Sequence, residues 1–231
     1  MFLQERHSKI IDILKKDYSS NVKFLAKKLY VSEATVRRDL KELHSLGLIE
    51  RSHGGAILPN NSNEVSLFIR MTKNAKAKQQ IATKALPLLP KFNSVFIDSS
   101  STALELAERM DLSFKTVVTN NLQTALQLTK KENVNLILVG GNIQYSAIAT
   151  TGSWTTRQIK EFDFDLILLS CTAIANKEVY ERSLEQKEIK LAAFERSKKR
   201  ILIADSSKLS ASATHKLANL DSFDIVVTET I

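Results

Sequence analysis

Ser32, Thr35, Arg37, Arg38 and Lys41 fall within one stretch of ten residues, SEATVRRDLK. Hydroxyl and cationic side chains at this spacing suit hydrogen bonding to base edges and phosphates rather than bond making. At about 100° per residue in a helix, Val36, Leu40 and Leu43 share one face, while Ala34, Arg38, Lys41 and Ser45 fall opposite, flanked by Thr35 and Arg37. An outward face of small residues edged by Arg and Lys can approach a major groove closely. Arg51 and His53, beside Gly54-Gly55, are placed to meet phosphates or a minor groove.

A second polar set follows short apolar runs: Asp98-Ser99-Ser100-Ser101-Thr102, Thr119-Asn120-Asn121, Gly140-Gly141-Asn142, Ser170-Cys171-Thr172 and Asp205-Ser206-Ser207-Lys208. Hydroxyls, amides and glycines of this kind bind phosphates and polyols. Ser100, Ser101 and Thr102 would open a helix whose first N–H groups favour an anion, and Lys190 and Lys208 would add positive charge. The candidate ligand residues are thus Asp98, Ser100, Ser101, Thr102, Thr119, Asn120, Gly140, Gly141, Lys190 and Lys208. His7, His44 and His53 belong to the N-terminal part and His215 stands alone, so neither a metal set nor a nucleophile paired with a histidine is evident. The chain is expected not to be an enzyme and to need no cofactor or metal.

The elements that must position these groups are legible in the spacing. Helical periodicity spans Glu5 to Lys16 and Val22 to Leu29, and Ser19-Ser20-Asn21 breaks the pattern and caps the second helix. Ser32 caps a third helix that ends before Gly47, with Glu33 in its positive first turn. Leu48 to Arg51 and Ala56 to Leu58 read as a hairpin, completing a winged helix-turn-helix. Beyond Lys76 the runs Val95–Ile97, Thr116–Val118, Leu136–Val139, Leu166–Leu169, Ile201–Ala204 and Ile225–Val227 alternate with helical patterns over 102–110, 122–130, 154–160 and 184–197. Such alternation predicts a parallel sheet covered on both faces, with ligands at the carboxyl ends of its strands. The fold class is α/β: a winged helix-turn-helix over 1–58, a linker over 59–75 and a parallel-sheet effector domain over 76–231.

Charge agrees with this division. The 231 residues carry a net +8, of which +5 lies in residues 1–75, as a polyanion partner would require. Residues 133–156 contain no Asp, Glu, Lys or Arg, yet their longest apolar run is Leu136 to Val139, far short of the roughly 20 residues of a membrane span. The charged N-terminal stretch does not read as a secretory signal. One cysteine, Cys171, suits a reducing compartment, and the cytoplasm is expected.

Val31 through Leu40, Leu46-Gly47-Leu48 and His53-Gly54-Gly55-Ala56 resemble the helix-turn-helix signature of the DeoR family of bacterial transcription regulators. The likeness continues through Asp98 to Thr102, Val118-Thr119-Asn120, Gly140-Gly141 and Asp205 to Lys208. It implies a recognition helix contacting DNA through Ser32, Thr35, Arg37 and Arg38. It also implies an effector domain related in fold to ribose-phosphate isomerases and CoA transferases, and a phosphorylated sugar that releases a carbohydrate-operon repressor from its operator. A two-fold operator would be met by a homodimer or homotetramer. Ser100 and Ser170-Cys171-Thr172-Ala173 stand where the family carries Gly and a Gly-x-Asp-Gly pattern. The alternatives are an activator, a regulator that has lost sugar-phosphate binding, or a sugar-phosphate enzyme.

Overall fold

The computed structural model describes residues 2–17, 19–46, 48–52, 54–57 and 65–230. They form two compact units that divide between residues 62 and 63. In the first, α1 (Leu3–Asp17), α2 (Val22–Leu29) and α3 (Glu33–Ser45) bury the apolar faces expected from their spacing: Ile10, Ile11 and Leu14, then Val22, Leu25, Ala26 and Leu29, then Val36, Leu40 and Leu43. Asn21 caps α2 by accepting from the Phe24 N–H at 2.8 Å.

The expected two-stranded wing is a three-stranded sheet. β2 (Glu50–Ser52) pairs antiparallel with β3 (Gly55–Ile57), and β1 (Ser19–Asn21), read from the sequence only as a helix break, pairs with the other edge of β3. Gly55 makes the third strand possible, since a Cβ there would lie 2.2 Å from the Ser20 carbonyl oxygen. Gly47, His53, Leu58 and residues 59–64 of the expected linker lie outside the described residues. The rest of that linker is not all connection: α4 (Leu67–Thr72) is helical and Leu67 is buried, its N–H bonded to the Ser146 carbonyl at 2.7 Å.

The second unit is built on the expected parallel sheet. After α5 (Ala75–Ala85), strands β4 (Ser94–Ile97), β5 (Thr116–Thr119) and β6 (Asn135–Leu138) alternate with α6 (Ser101–Ala107) and α7 (Leu122–Leu128). The hairpin β7 (Asn142–Gln144) and β8 (Ala149–Thr151) precedes α8 (Ser153–Lys160) and β9 (Phe164–Leu169). β10 (Ala173–Ala175), β11 (Glu178–Glu181), α9 (Leu184–Glu195), β12 (Ser197–Ile203), β13 (His215–Asn219) and β14 (Ile225–Val227) complete it. The six-stranded sheet runs β14-β12-β9-β4-β5-β6 with every neighbouring pair parallel. Alternate residues of the central strands face two cores. Val95, Ile97, Val117 and Leu168 meet Ile81, Ala85 and Leu106 on one face, and Phe96, Val118, Ile167 and Leu169 meet Ile159, Ile189 and Ala193 on the other. The order reverses between β4 and β9, the switch point at which such sheets open a crevice.

Four features differ from the sequence expectation. Helix α5 was not anticipated, because its buried positions are Lys78, Ile81, Ala82 and Ala85, a weakly apolar stripe. The hairpin β7–β8 and the antiparallel sheet β10-β11-β13 were also missed, built from strands of three to five residues. The helix expected to reach Ser197 ends at Glu195, and β12 begins at Ser197, where its exposed first half still pairs with Phe164.

Candidate functional site

In the first unit, Ser32 stands as the N-cap of α3 and its hydroxyl accepts from the Thr35 N–H at 3.1 Å. The Ser32 and Thr35 hydroxyls are 2.9 Å apart. Ala34, Arg37, Arg38, Lys41 and Ser45 are exposed along the outer side of the helix, opposite buried Val36, Leu40 and Leu43. Arg37 pairs with Glu33 one turn earlier at 3.2 Å, in solvent, whereas no ion pair engages Arg38 or Lys41 among the described residues. Arg51 is exposed on β2. The structure thus brings Ser32, Thr35, Arg37, Arg38 and Lys41 onto one helix; His53 lies outside the described residues.

Two residues of this unit escaped the sequence reading. Asp39, within the basic stretch, points inward and is fully buried, its carboxylate gripped by Nε and Nη2 of Arg6, the latter at 2.9 Å. That bond raises the Arg6 pKa against the opposing effect of burial. The fork fixes α3 to α1, and only the inward angle of Asp39, about 40° around the helix from Leu43, hints at it. Tyr30 is the second, the C-cap of α2 with φ 55° and 93% of its surface exposed, beside the cap of α3.

In the second unit the five polar loops do lie at the carboxyl edge of one sheet, but the strand order separates them. Gly140 and Gly141 end β6, four strand spacings from Lys208 beyond β12, or roughly 19 Å at 4.8 Å per strand. One small ligand cannot span that gap. The two glycines serve packing instead: a Cβ on Gly141 would lie 1.9 Å from the Thr155 hydroxyl, and Gly140 exchanges hydrogen bonds with the Gln158 side chain of α8.

The residues around the switch point are buried and mutually engaged. Asp98 accepts from the Ser100 and Ser170 N–H groups, each at 2.9 Å. The Ser100 hydroxyl caps α6 at Ala103, that of Ser101 donates to the Arg70 carbonyl, and that of Thr119 donates to Ile97. Asn120 donates to the Thr150 carbonyl; Thr102 is buried beside them. Lys190 is not a free cation for a ligand. Its ammonium is buried and meets the Ser170 carbonyl at 2.7 Å, Asp98 at 3.1 Å and Glu181. Its correction follows from chain topology: Asp98 and Glu181 lie 92 and nine residues away in sequence, and folding converts a helix-face lysine into the centre of an ion triad. Thr172 donates to the other Glu181 oxygen at 2.9 Å. Cys171 is buried nearby, and burial pushes its thiol up to about 12.

Beside this lock lies a basic cluster. Lys78 of α5 is buried, with its ammonium on the carbonyls of Arg70 and Lys73. Burial lowers its pKa to about 8, and Lys208 and Arg70 push the same way against the pull of Asp205. Asp205 itself stays below the usual carboxylate range although burial opposes this, because the Ser207 hydroxyl and Lys208 favour its charged form. Asn74 donates to Asp205 at 2.9 Å and to Ser207 at 3.2 Å, leaving the N-terminus of α5 without a side-chain cap. Lys208 is half-buried. Sequence reasoning found Lys208 but missed Lys78 and Arg70, which sit in the unanticipated α5 and in the expected linker.

Comparisons with known proteins agree with both units. Residues 6–62 match the DeoR-like helix-turn-helix domain and residues 73–230 the DeoR C terminal sensor domain. The HTH-type transcriptional regulator GolR of Listeria innocua is 30% identical over 99% of this chain and 91% of its own length. The glycerol-3-phosphate regulon repressor of Escherichia coli is 31% identical over 97% of this chain and 90% of its own. Among solved structures, eIF2B delta from Chaetomium thermophilum shares the fold alone, at a TM-score of 0.50 and 14% identity over 70% of this chain and 58% of that one.

Proposed function

The chain belongs to the DeoR family of helix-turn-helix transcription regulators, and on that premise we propose that it is a sequence-specific repressor of a carbohydrate operon, released by a phosphorylated sugar. The observation that carries the DNA half is the outer side of α3, where exposed Arg37, Arg38 and Lys41 follow the Ser32–Thr35 cap and the inner side is buried. Ser32, Thr35, Arg37 and Arg38 read or position against the major groove, and Arg51, with His53, meets backbone phosphate.

Selection of duplex DNA from a random pool by the full chain is expected to yield a two-fold site. Against that site Arg38→Ala loses about 1–3 kcal/mol and relaxes sequence preference, whereas Arg51→Ala weakens all sequences alike and reduces the salt slope by about 1. Unchanged affinity in both variants overturns the assignment.

The effector half rests on the basic cluster. Lys78 and Lys208, with Arg70 nearby and Asp205 among them, present an excess of positive charge at an uncapped helix start. This is the setting in which a phosphate relieves repulsion, and sugar hydroxyls would exchange with the hydrogen bonds that Asn74, Asp205 and Ser207 make to one another. A relative named for the glycerol-3-phosphate regulon favours a phosphate ester. Because Lys78 titrates at about 8, an anion there requires the ammonium form. Affinity for the active phosphosugar is therefore expected to fall between about pH 7 and about pH 9, and Lys78→Met removes both the affinity and this slope. Calorimetry with a phosphosugar panel checks it; a panel that leaves melting temperature and operator affinity unchanged removes the effector role. The sensor acts by binding, in the cytoplasm, and measurable turnover of a sugar phosphate would contradict that.

A further inference from the structure

β6 is one outer strand of the six-stranded sheet, and its outer edge has no strand partner among the described residues. The Asn135 and Val139 N–H groups bond to Lys115 and Thr119 on the β5 side. By strand alternation those of Leu136 and Leu138 point away from the sheet. Open edges are normally guarded by charge, proline or a covering element. The opposite edge is guarded in this way: β14 is flanked by Asp224, which holds Lys199 and the Arg200 N–H, and by Glu229. Among the described residues β6 has no such guard. It lies in residues 133–156, the charge-free run of a chain in which one residue in four is charged.

Two exposed apolar side chains of this run lie at that end of the sheet: Leu138 is 43% exposed on the strand itself, and Trp154, 60% exposed with the Arg157 guanidinium 5.9 Å over its ring, sets its indole nitrogen about 4.0 Å from where a Gly140 Cβ would stand. Asn135, the first residue of the strand, is exposed and uncharged.

We propose that this edge is where two copies of the chain join, β6 against β6 about a two-fold axis. The partner follows from charge. Two copies of a +8 chain repel each other, and a two-fold contact brings each residue near its own counterpart, so a charged patch would set like charges together. The strand itself, Asn135 to Leu138, carries no charge and avoids that penalty. Antiparallel pairing about the axis supplies acceptors for the outward N–H groups and covers the apolar side chains. It also closes the assembly instead of propagating it. The inference deepens the regulator reading by naming the surface of an expected homo-oligomer, and it rests on that reading only for the expectation that copies meet.

The test is sedimentation velocity of the full chain without DNA, with hydrogen exchange at the Leu136 and Leu138 amides. The wild type is expected to associate, with both amides protected at high concentration and exposed on dilution. Leu138→Lys is expected to weaken association at least tenfold, while Leu88→Lys, at an exposed site outside the patch, leaves it unchanged. Association of Leu138→Lys equal to wild type, or amides that exchange freely in the associated state, overturns the proposal. A monomeric wild type also overturns it and leaves the edge to a different partner. Operator binding measured separately distinguishes the two readings: association without DNA affinity sinks only the DNA assignment, and DNA affinity with an unpaired edge sinks only the interface.

Discussion

Replacing Lys190 with methionine is expected to lower the unfolding free energy of the second unit by about 3–5 kcal/mol, the usual cost of removing one partner from a buried ion pair. The ammonium has three donors and three acceptors, on Asp98, Ser170 and Glu181. Without it two carboxylates remain buried near one another with no cation between them. Urea unfolding followed by fluorescence of Trp154, the only tryptophan, measures the loss. Adding Glu181→Gln to Lys190→Met should recover part of it, since the second substitution removes one stranded charge. A single variant within about 1 kcal/mol of wild type would mean that the triad is not coupled to folding. Burial works against the Lys190 ammonium, but Asp98 and Glu181 outweigh it and hold its pKa above the ordinary lysine value. The stabilisation is therefore present in full below about pH 10, the unfolded range, and fades only as pH climbs through the raised folded value.

Asp39→Ala should have a comparable effect on the first unit, about 3–5 kcal/mol, by leaving the buried Arg6 guanidinium without its carboxylate. The functional loss should exceed that of any single outer-face substitution, because α3 loses its tie to α1 while every proposed DNA contact on it remains chemically intact. Hydrogen exchange of α1 and α3 amides in the full chain, alongside operator affinity, checks this. Protection and affinity both equal to wild type would show that the fork does not hold the helix. Asp39→Asn, which keeps an acceptor for one guanidinium nitrogen, should fall between the two.

The parts of this protein legible in its sequence are those governed by local rules. α3 could be read because its cap, its core spacing and its basic outer side all lie within fourteen residues, 32–45. The sheet could be read because strands buried on both faces are unbroken apolar runs. Asp39 could not, because a carboxylate following two arginines looks solvated until Arg6 arrives from another helix. Strand order was equally hidden. The loop at Gly140 looks equivalent to that at Asp205 along the chain, and only the reversal between β4 and β9 sends them to different ends of the sheet. Lys78 was missed because burying a lysine contradicts every local expectation; the carbonyls that receive its ammonium come from a turn and a helix read as linker.

The close approach at Gly55 has a consequence for the operator. Because β3 is sandwiched between β1, which leads directly into α2, and β2, which carries Arg51, backbone hydrogen bonds tie the strand of Arg51 to the helices. In the binding mode proposed above, the distance along the duplex between the base pairs read by α3 and the phosphate met by Arg51 is then a fixed ruler. One inserted base pair would shift the phosphate by about 3.4 Å and rotate it by about 35°, beyond the reach of a side chain whose strand cannot follow. Half-sites should therefore tolerate changes of letter more readily than changes of length.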